Sequence, residues 1–249
     1  MDRIAPTRRP RGAARGFQRW RSLLFMHWPV SVEVLRPLVP ASLEIDTFEG
    51  RAYVGLVPFA MEGVRPRWAP EALAFDFLET NVRTYVHVDG RDPGVYFFSL
   101  DAASRIAVQV ARAGWGLPYF YARMSLREDG ETIHYGVERA GSAARLRVSY
   151  RVGDALGPSE PGSFQHFLVE RYLLHLERGG RLLSGQVYHV PYPVHAATVL
   201  ELEDSLVASA GIPAEGPPPI VHYSPGVDVE LFTLGHATRG VAPTSDDDD

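Results

Sequence analysis

A β-rich α+β fold, mostly antiparallel, is what this 249-residue sequence predicts, and three observations carry that expectation. Glycine (23) and proline (20) are frequent and spread along the chain, which is the punctuation of many short strands joined by turns. Between those breaks recur runs rich in β-branched and aromatic residues, such as Tyr53-Val54-Gly55-Leu56-Val57. Only a few stretches carry the 3.6-residue apolar spacing of a helix. No repeat, low-complexity tract or linker divides the chain. Pro217-Pro218-Pro219 is the stiffest joint, but it lies too near the C-terminus to separate two domains. One domain over residues 21–240 is expected.

Taken in order, residues 1–20 hold six arginines, with Arg21 a seventh just beyond, show no periodicity, and read as a loose, flexible arm. Ser31 is placed to cap a short helix at Val32–Leu38, which Pro40 ends. Arg51–Phe59 reads as a bent strand or strand pair. Asn81–Val88 has strand composition, although Val82, Tyr85 and Val88 do not fall on one face. Asp89-Gly90 turns the chain into a returning strand at Val95–Leu100. Ser104–Ala113 has the spacing of a short helix through Ile106, Ala107 and Val110.

Strands follow at Tyr119–Leu126, Thr132–Glu138 and Arg145–Val152, with Asp129-Gly130 as the clearest hairpin signal. Ser163 opens an amphipathic helix with Phe164, Phe167, Leu168 and Leu174 on its core side. Leu182–Val190 and Val227–Leu234 read as strands. Glu201–Ala210 reads as a helix closed by Gly211 at the C′ position. Residues 241–249, ending in four aspartates, read as a disordered acidic tail.

Composition closes several routes of chemistry. All 25 residues in the Lys+Arg count are arginine, and cysteine is absent. No side-chain amine is available for a Schiff base, and no thiolate for attack or soft-metal binding. A net charge of −5 argues against general nucleic-acid binding. No run approaches the roughly 20 apolar residues of a membrane span, and Leu23-Leu24-Phe25-Met26 is too short for a signal-peptide core. A cytoplasmic protein is expected. Phosphate loops, HExxH, paired CxxC and Gly-x-Ser-x-Gly are all missing, and the nine histidines are dispersed, so neither a metal nor a cofactor is expected. Oligomeric state is not encoded in any feature of the chain.

Specific phrases then stand out. His27-Trp28-Pro29, Asp46-Thr47-Phe48-Glu49-Gly50-Arg51-Ala52, Val57-Pro58-Phe59 and Glu79-Thr80-Asn81-Val82-Arg83-Thr84-Tyr85-Val86 are four of them. Phe97-Phe98-Ser99-Leu100-Asp101-Ala102, Gly116-Leu117-Pro118-Tyr119 and His222-Tyr223-Ser224-Pro225-Gly226-Val227-Asp228-Val229 follow in the same order. Together they resemble the bacterial YqjF-like family from about His27 to Leu234. That family in turn resembles the acetoacetate decarboxylase superfamily. The resemblance implies an antiparallel sheet curled into a cone or partial barrel around a ligand cavity. It also implies where the decarboxylase keeps its lysine pair, after a Gly-Phe-Pro phrase similar to Gly116-Leu117-Pro118. Here those positions are Tyr119 and Phe120, so the lysine chemistry does not carry over.

The same resemblance aligns Glu79 with a decarboxylase active-site glutamate. Strand alternation puts Glu79, Asn81, Arg83 and Tyr85 on one face, a row that is either solvated or lines a polar pocket. A guanidinium such as Arg83 binds an organic anion bidentately; alternatively it pairs with Glu79 or Asp101. Tyr119 and Tyr121 share a face and present phenols to a ligand, or serve as core aromatics. His27 is a general acid–base candidate or a packed structural histidine. Trp115 and Phe120 complete the candidate ligand-binding set.

Three functions compete. The first is a protein binding a small organic anion or a keto or aromatic compound. The second is an acid–base enzyme for enolisation, hydration or cyclisation, using Glu79, Tyr119 and His27. The third is an interaction protein working through its arginine arm.

Overall fold

Long strands build this molecule. The computed structural model describes residues 1–213 and 216–236. Strands β1 (Gly16–Val30) and β3 (Ala52–Pro66) have 15 residues each, and β4 (Phe75–Val88) has 14. Strands of this length survive by bending: the pairing of β1 with β3 slips between Arg21 and Met26, where Ser22 adopts φ 51°. Around them lie β2 (Glu44–Ile45), β5 (Arg91–Ala102), β6 (Tyr119–Asp129), β7 (Thr132–Arg139) and β8 (Arg145–Gly157). The set is completed by β9 (Leu173–Arg178), β10 (Arg181–Tyr188), β11 (Val194–Asp204), β12 (Ile220–Leu231) and β13 (Gly235–His236). Four helices are short: α1 (Val32–Leu35), α2 (Arg105–Trp115), α3 (Phe164–Val169) and α4 (Leu206–Ser209).

The strands form one sheet that closes on itself twice. A ring of nine runs β5-β6-β7-β8-β11-β12-β1-β3-β4 and is closed by the β4–β5 pairing. A second route joins β5 through β9 and β10 back to β12. All pairings are antiparallel except β5–β6 and β5–β9. Strands β1, β3 and β4 therefore form a partition with a core on each face. Leu24, Met26, Val54, Leu56 and Val82 point into one core, with Tyr135 and Tyr150 opposite. Phe25, Tyr53, Val57 and Tyr85 point into the other, which α3 covers with Phe167 and Leu168.

A partition buried on both faces has no reason to alternate apolar with polar residues, so it reads as a continuous apolar run. That explains why β1, with Leu23-Leu24-Phe25-Met26 at its centre, carries no period-2 signal. It also explains why Val82 and Tyr85 fit no single face: each belongs to a different core.

Several local expectations are met. Ser31 and Ser163 cap α1 and α3 through their side chains, and Ser104, read as the first residue of its helix, caps α2. Residues Asp129 and Thr132 close the β6–β7 hairpin. Others need correction. The expected loose arm is strand from Gly16 onward, and Arg3 reaches Asp46 at 2.5 Å. Leu174 lies in β9, not in a helix with Phe164, because α3 stops at Val169. Residues 201–204, expected as helix, are the end of β11, where pairing with β8 turns Glu201 and Glu203 outward. Only Leu206–Ser209 is helical, and Gly211 at φ 81° ends that turn. The acidic tail falls outside the described residues. Among the described residues no helix is long and apolar enough to cross a membrane.

Candidate functional site

Strand β4 supplies the polar row. Glu79, Asn81, Arg83 and Tyr85 are all buried, at 8% exposure or less, and they face the core that α3 covers. Their surroundings come from the partners of β4. Opposite them on β3 stand Phe59, Val57, Gly55 and Tyr53, and on β5 stand Ala102, Leu100, Phe97 and Val95. Walls of this kind make a polar row costly unless each group finds a partner.

Two separate groupings result. At the inner end, His27 Nε2 lies 2.7 Å from the Tyr85 hydroxyl. That hydroxyl lies 2.8 Å from the carbonyl of Leu168 at the end of α3, and the Arg83 guanidinium donates to the same carbonyl at 3.3 Å. Arg83 also lies 5.6 Å above the Phe25 ring. Gly55 makes the space: a Cβ there would meet the His27 ring at 3.2 Å and Arg83 Cγ at 3.4 Å. Burial, with the charges of Arg83 and His222 nearby, pushes the His27 pKa well down, so its ring is neutral.

Among the described residues no carboxylate lies within 4.0 Å of Arg83. The alternative role of Arg83, an ion pair with Glu79 or Asp101, is therefore not the one it takes. Among the described residues Arg83 Nε, Asn81 Oδ1 and His27 Nδ1, all buried, find no hydrogen-bond partner. One end of the row thus holds three buried polar atoms, on Arg83, Asn81 and His27, for which the described protein supplies no partner.

At the outer end, the Tyr119 hydroxyl donates to Glu79 Oε2 at 2.8 Å. Burial raises the Glu79 pKa to about 8 against the lowering effect of that bond, and the nearby charge of Asp101 adds to the rise. Glu79 is thus mostly protonated at neutral pH. Tyr119 is pushed well above its ordinary value by burial and by Glu79, and stays a donor. Arg83 lies four positions along β4 from Glu79, about 13 Å. Glu79 and His27 therefore do not converge on one atom.

Asp101 finds another arginine. Arg139, at the end of β7, binds it with both Nε and Nη2 at 2.7 Å, and this pair is buried. Arg139 also lies 4.2 Å over Phe120. Phe120 and Tyr121 line open grooves beside α2, with Arg105 stacked 4.1 Å over Tyr121. Trp115 packs at the C-terminal end of α2 against Leu100 and Leu117. The candidate ligand-binding residues are thus divided: Asn81, Arg83 and Tyr85 meet His27, whereas Trp115, Phe120 and Tyr121 lie apart.

Sequence reasoning missed Asp46, Arg171, Arg139 and His222. Arg171 is buried, donates to Asp46 Oδ2 at 2.9 Å and lies 4.8 Å over the Tyr85 ring. Asp46 and His222 sit inside the quoted phrases, which was the available signal. Nothing local marks Arg139 or Arg171.

The family model DUF2071, described as an uncharacterized conserved protein, matches residues 17–228. The chain belongs to this DUF2071 family. It is 37% identical over 219 residues to the uncharacterized protein YqjF of Bacillus subtilis (strain 168), covering 87% of this chain and 90% of that one. Among solved structures it is similar to the enduracididine biosynthesis enzyme MppR complexed with pyruvate. That match has a TM-score of 0.65 and 12% identity, over 92% of this chain and 93% of the other. An acetoacetate decarboxylase matches with a TM-score of 0.63 and 16% identity, over 92% and 90%. At such identities the likeness shows the fold: this DUF2071 chain has an acetoacetate decarboxylase-like, sheet-rich architecture whose nine-strand ring is not a regular barrel.

Proposed function

We propose that this DUF2071 protein binds a small organic anion, a keto or aromatic carboxylate, in the α3-covered core with Arg83 as its anchor. The observation that carries the reading is Arg83 itself. A guanidinium 8% exposed, with no carboxylate in reach among the described residues, leaves a buried charge that a ligand carboxylate would offset. Asn81 Oδ1 and His27 Nδ1, unpartnered among the described residues, would accept from a hydroxyl or other donor elsewhere on the ligand. MppR, of the same fold, was seen with pyruvate, a compound of this class. A Schiff base on a side chain is closed to this chain, which has no lysine.

The test is a thermal-shift series with pyruvate, acetoacetate and benzoate, each beside its neutral amide or ketone analogue. Ligand at about 100 times its Kd stabilises the folded state by about 2.7 kcal/mol. The acids should raise the Tm of the wild type and not of a folded Arg83→Met variant. Equal shifts in both proteins, or none in the wild type, would discard the reading.

A second reading, an acid–base enzyme, draws on a different observation: Glu79 holds its proton to about pH 8 against Tyr119. A neutral carboxylic acid hydrogen-bonded to a phenol is a proton donor matched to neutral pH. In this reading Glu79 and Tyr119 act together, and His27 serves the anion end. Solvent-deuterium exchange into bound pyruvate, abolished by Glu79→Gln, is the signal to look for.

A further inference from the structure

A concentration of arginines lies outside both cores, where β6, β7 and β8 meet the N-terminal end of α2. A groove of about 500 Å³ opens there, lined by Arg105, Arg123, Arg139, Arg145 and Arg147 with Tyr121 at its floor. Glu138 is the one carboxylate in the lining. A second groove of about 270 Å³ shares Arg105 and Tyr121 and adds Arg112.

These arginines are partly paired. Arg123 and Arg147 reach Glu138 at 3.1 and 3.6 Å, Arg145 and Arg147 reach Glu203, and Arg139 is held by Asp101. Five arginines against three carboxylates leave two positive charges uncompensated, and Arg112 adds a third. Among the described residues Arg105 has no carboxylate within 4.0 Å; it is held in place by stacking on Tyr121. Arg139 is fixed further: its side chain is 8% exposed, clamped by Asp101 behind it and by Ser209 Oγ at 3.2 Å. The whole chain carries a charge of −5, so this density is local and does not follow from composition.

We propose that this groove is a second ligand site, distinct from the Arg83 core, and that it takes a compact polyanion: a phosphate ester or a polycarboxylate. Planar guanidinium groups match the oxygens of both, and two held arginines beside an exposed, charged rim suit a group bearing two or more charges. A monocarboxylate would leave most of that charge unanswered.

Titration calorimetry of the full chain with pyrophosphate and with citrate tests it, at low and at physiological ionic strength. Saturable one-to-one binding that weakens with salt is expected, and whichever probe binds more tightly tells the phosphate source from the carboxylate one. The double variant Arg105→Glu with Arg147→Glu, both on exposed side chains, should weaken binding at least tenfold while circular dichroism stays unchanged. Arg83→Met should bind the probe as the wild type does. Absence of saturable binding of either probe overturns the proposal. So does a loss in Arg83→Met that the double variant does not show, and so does binding indifferent to the double variant.

Discussion

Glu79 is a carboxyl group whose titration the fold has displaced upward. Its value of about 8 in the folded protein lies above the ordinary 4.5, so between those limits the unfolded chain ionises here while the folded one stays protonated. The folded state then binds more protons, and this contribution to stability falls as pH rises through the window, levelling off above about 8. The slope is at most about 1.4 kcal/mol per pH unit. Glu79→Gln keeps the shape and the acceptor for Tyr119 but removes the titration. Urea unfolding at roughly pH 5, 7 and 9 should show the variant gaining on the wild type as pH rises. The buried histidines, pushed down by burial, act in the opposite sense below their ordinary value, but they cancel in this difference. A difference independent of pH would mean that Glu79 is ionised in the fold. Tyr119→Phe tests the same contact from the other side. Leaving the buried carboxyl without its donor should cost about 1–3 kcal/mol by denaturant unfolding.

At the scale of elements, the crossing of β1 with β12 depends on Gly226. Its φ is 130°, and a Cβ there would lie 2.0 Å from the Trp20 carbonyl oxygen. No rotamer relieves a clash with backbone, so Gly226→Ala should fail to give soluble folded protein or should lower Tm by well over 5 °C in a thermal melt, the order expected for a change above about 2 kcal/mol. A Tm within a degree or so of the wild type would show that the close approach relaxes freely. Helix α3 is the other dependent element. It is six residues long, yet its Leu168 carbonyl receives Arg83, and Phe167 packs beside Tyr53 and Tyr85. A helix this short owes its place to packing rather than to propensity. Phe167→Ala should cost about 3–5 kcal/mol and weaken carboxylate binding at Arg83 as well, measured by unfolding and by the same thermal-shift series. Loss of stability with binding unchanged would separate α3 from the site.

Over the whole molecule, stability is expected to be graded by the double closure. Strands β1, β3 and β4 are shared by both rings and buried on both faces, whereas β13 pairs with β10 through two residues. Hydrogen exchange should therefore be slowest in residues 54–57 and 81–86 and fastest in β10 and β13; comparable rates would contradict a shared partition. The same architecture explains what was legible beforehand. Sequence alone determined the strand-rich class, the serine caps Ser31 and Ser163, the family phrases, the absence of an internal amine, and the alternation that puts Glu79, Asn81, Arg83 and Tyr85 on one face. These are local or compositional properties, set by dihedral preference and by the period of two. Tertiary structure decided which core that face entered, that Asp101 took Arg139 and left Arg83 without a carboxylate among the described residues, and that Phe120 and Tyr121 turned to an outer groove. Arg139 lies 38 residues from Asp101 and Leu168 lies 85 from Arg83. Contacts across such distances arise only when the sheet closes, because no local rule of spacing relates residues that the ring alone brings together.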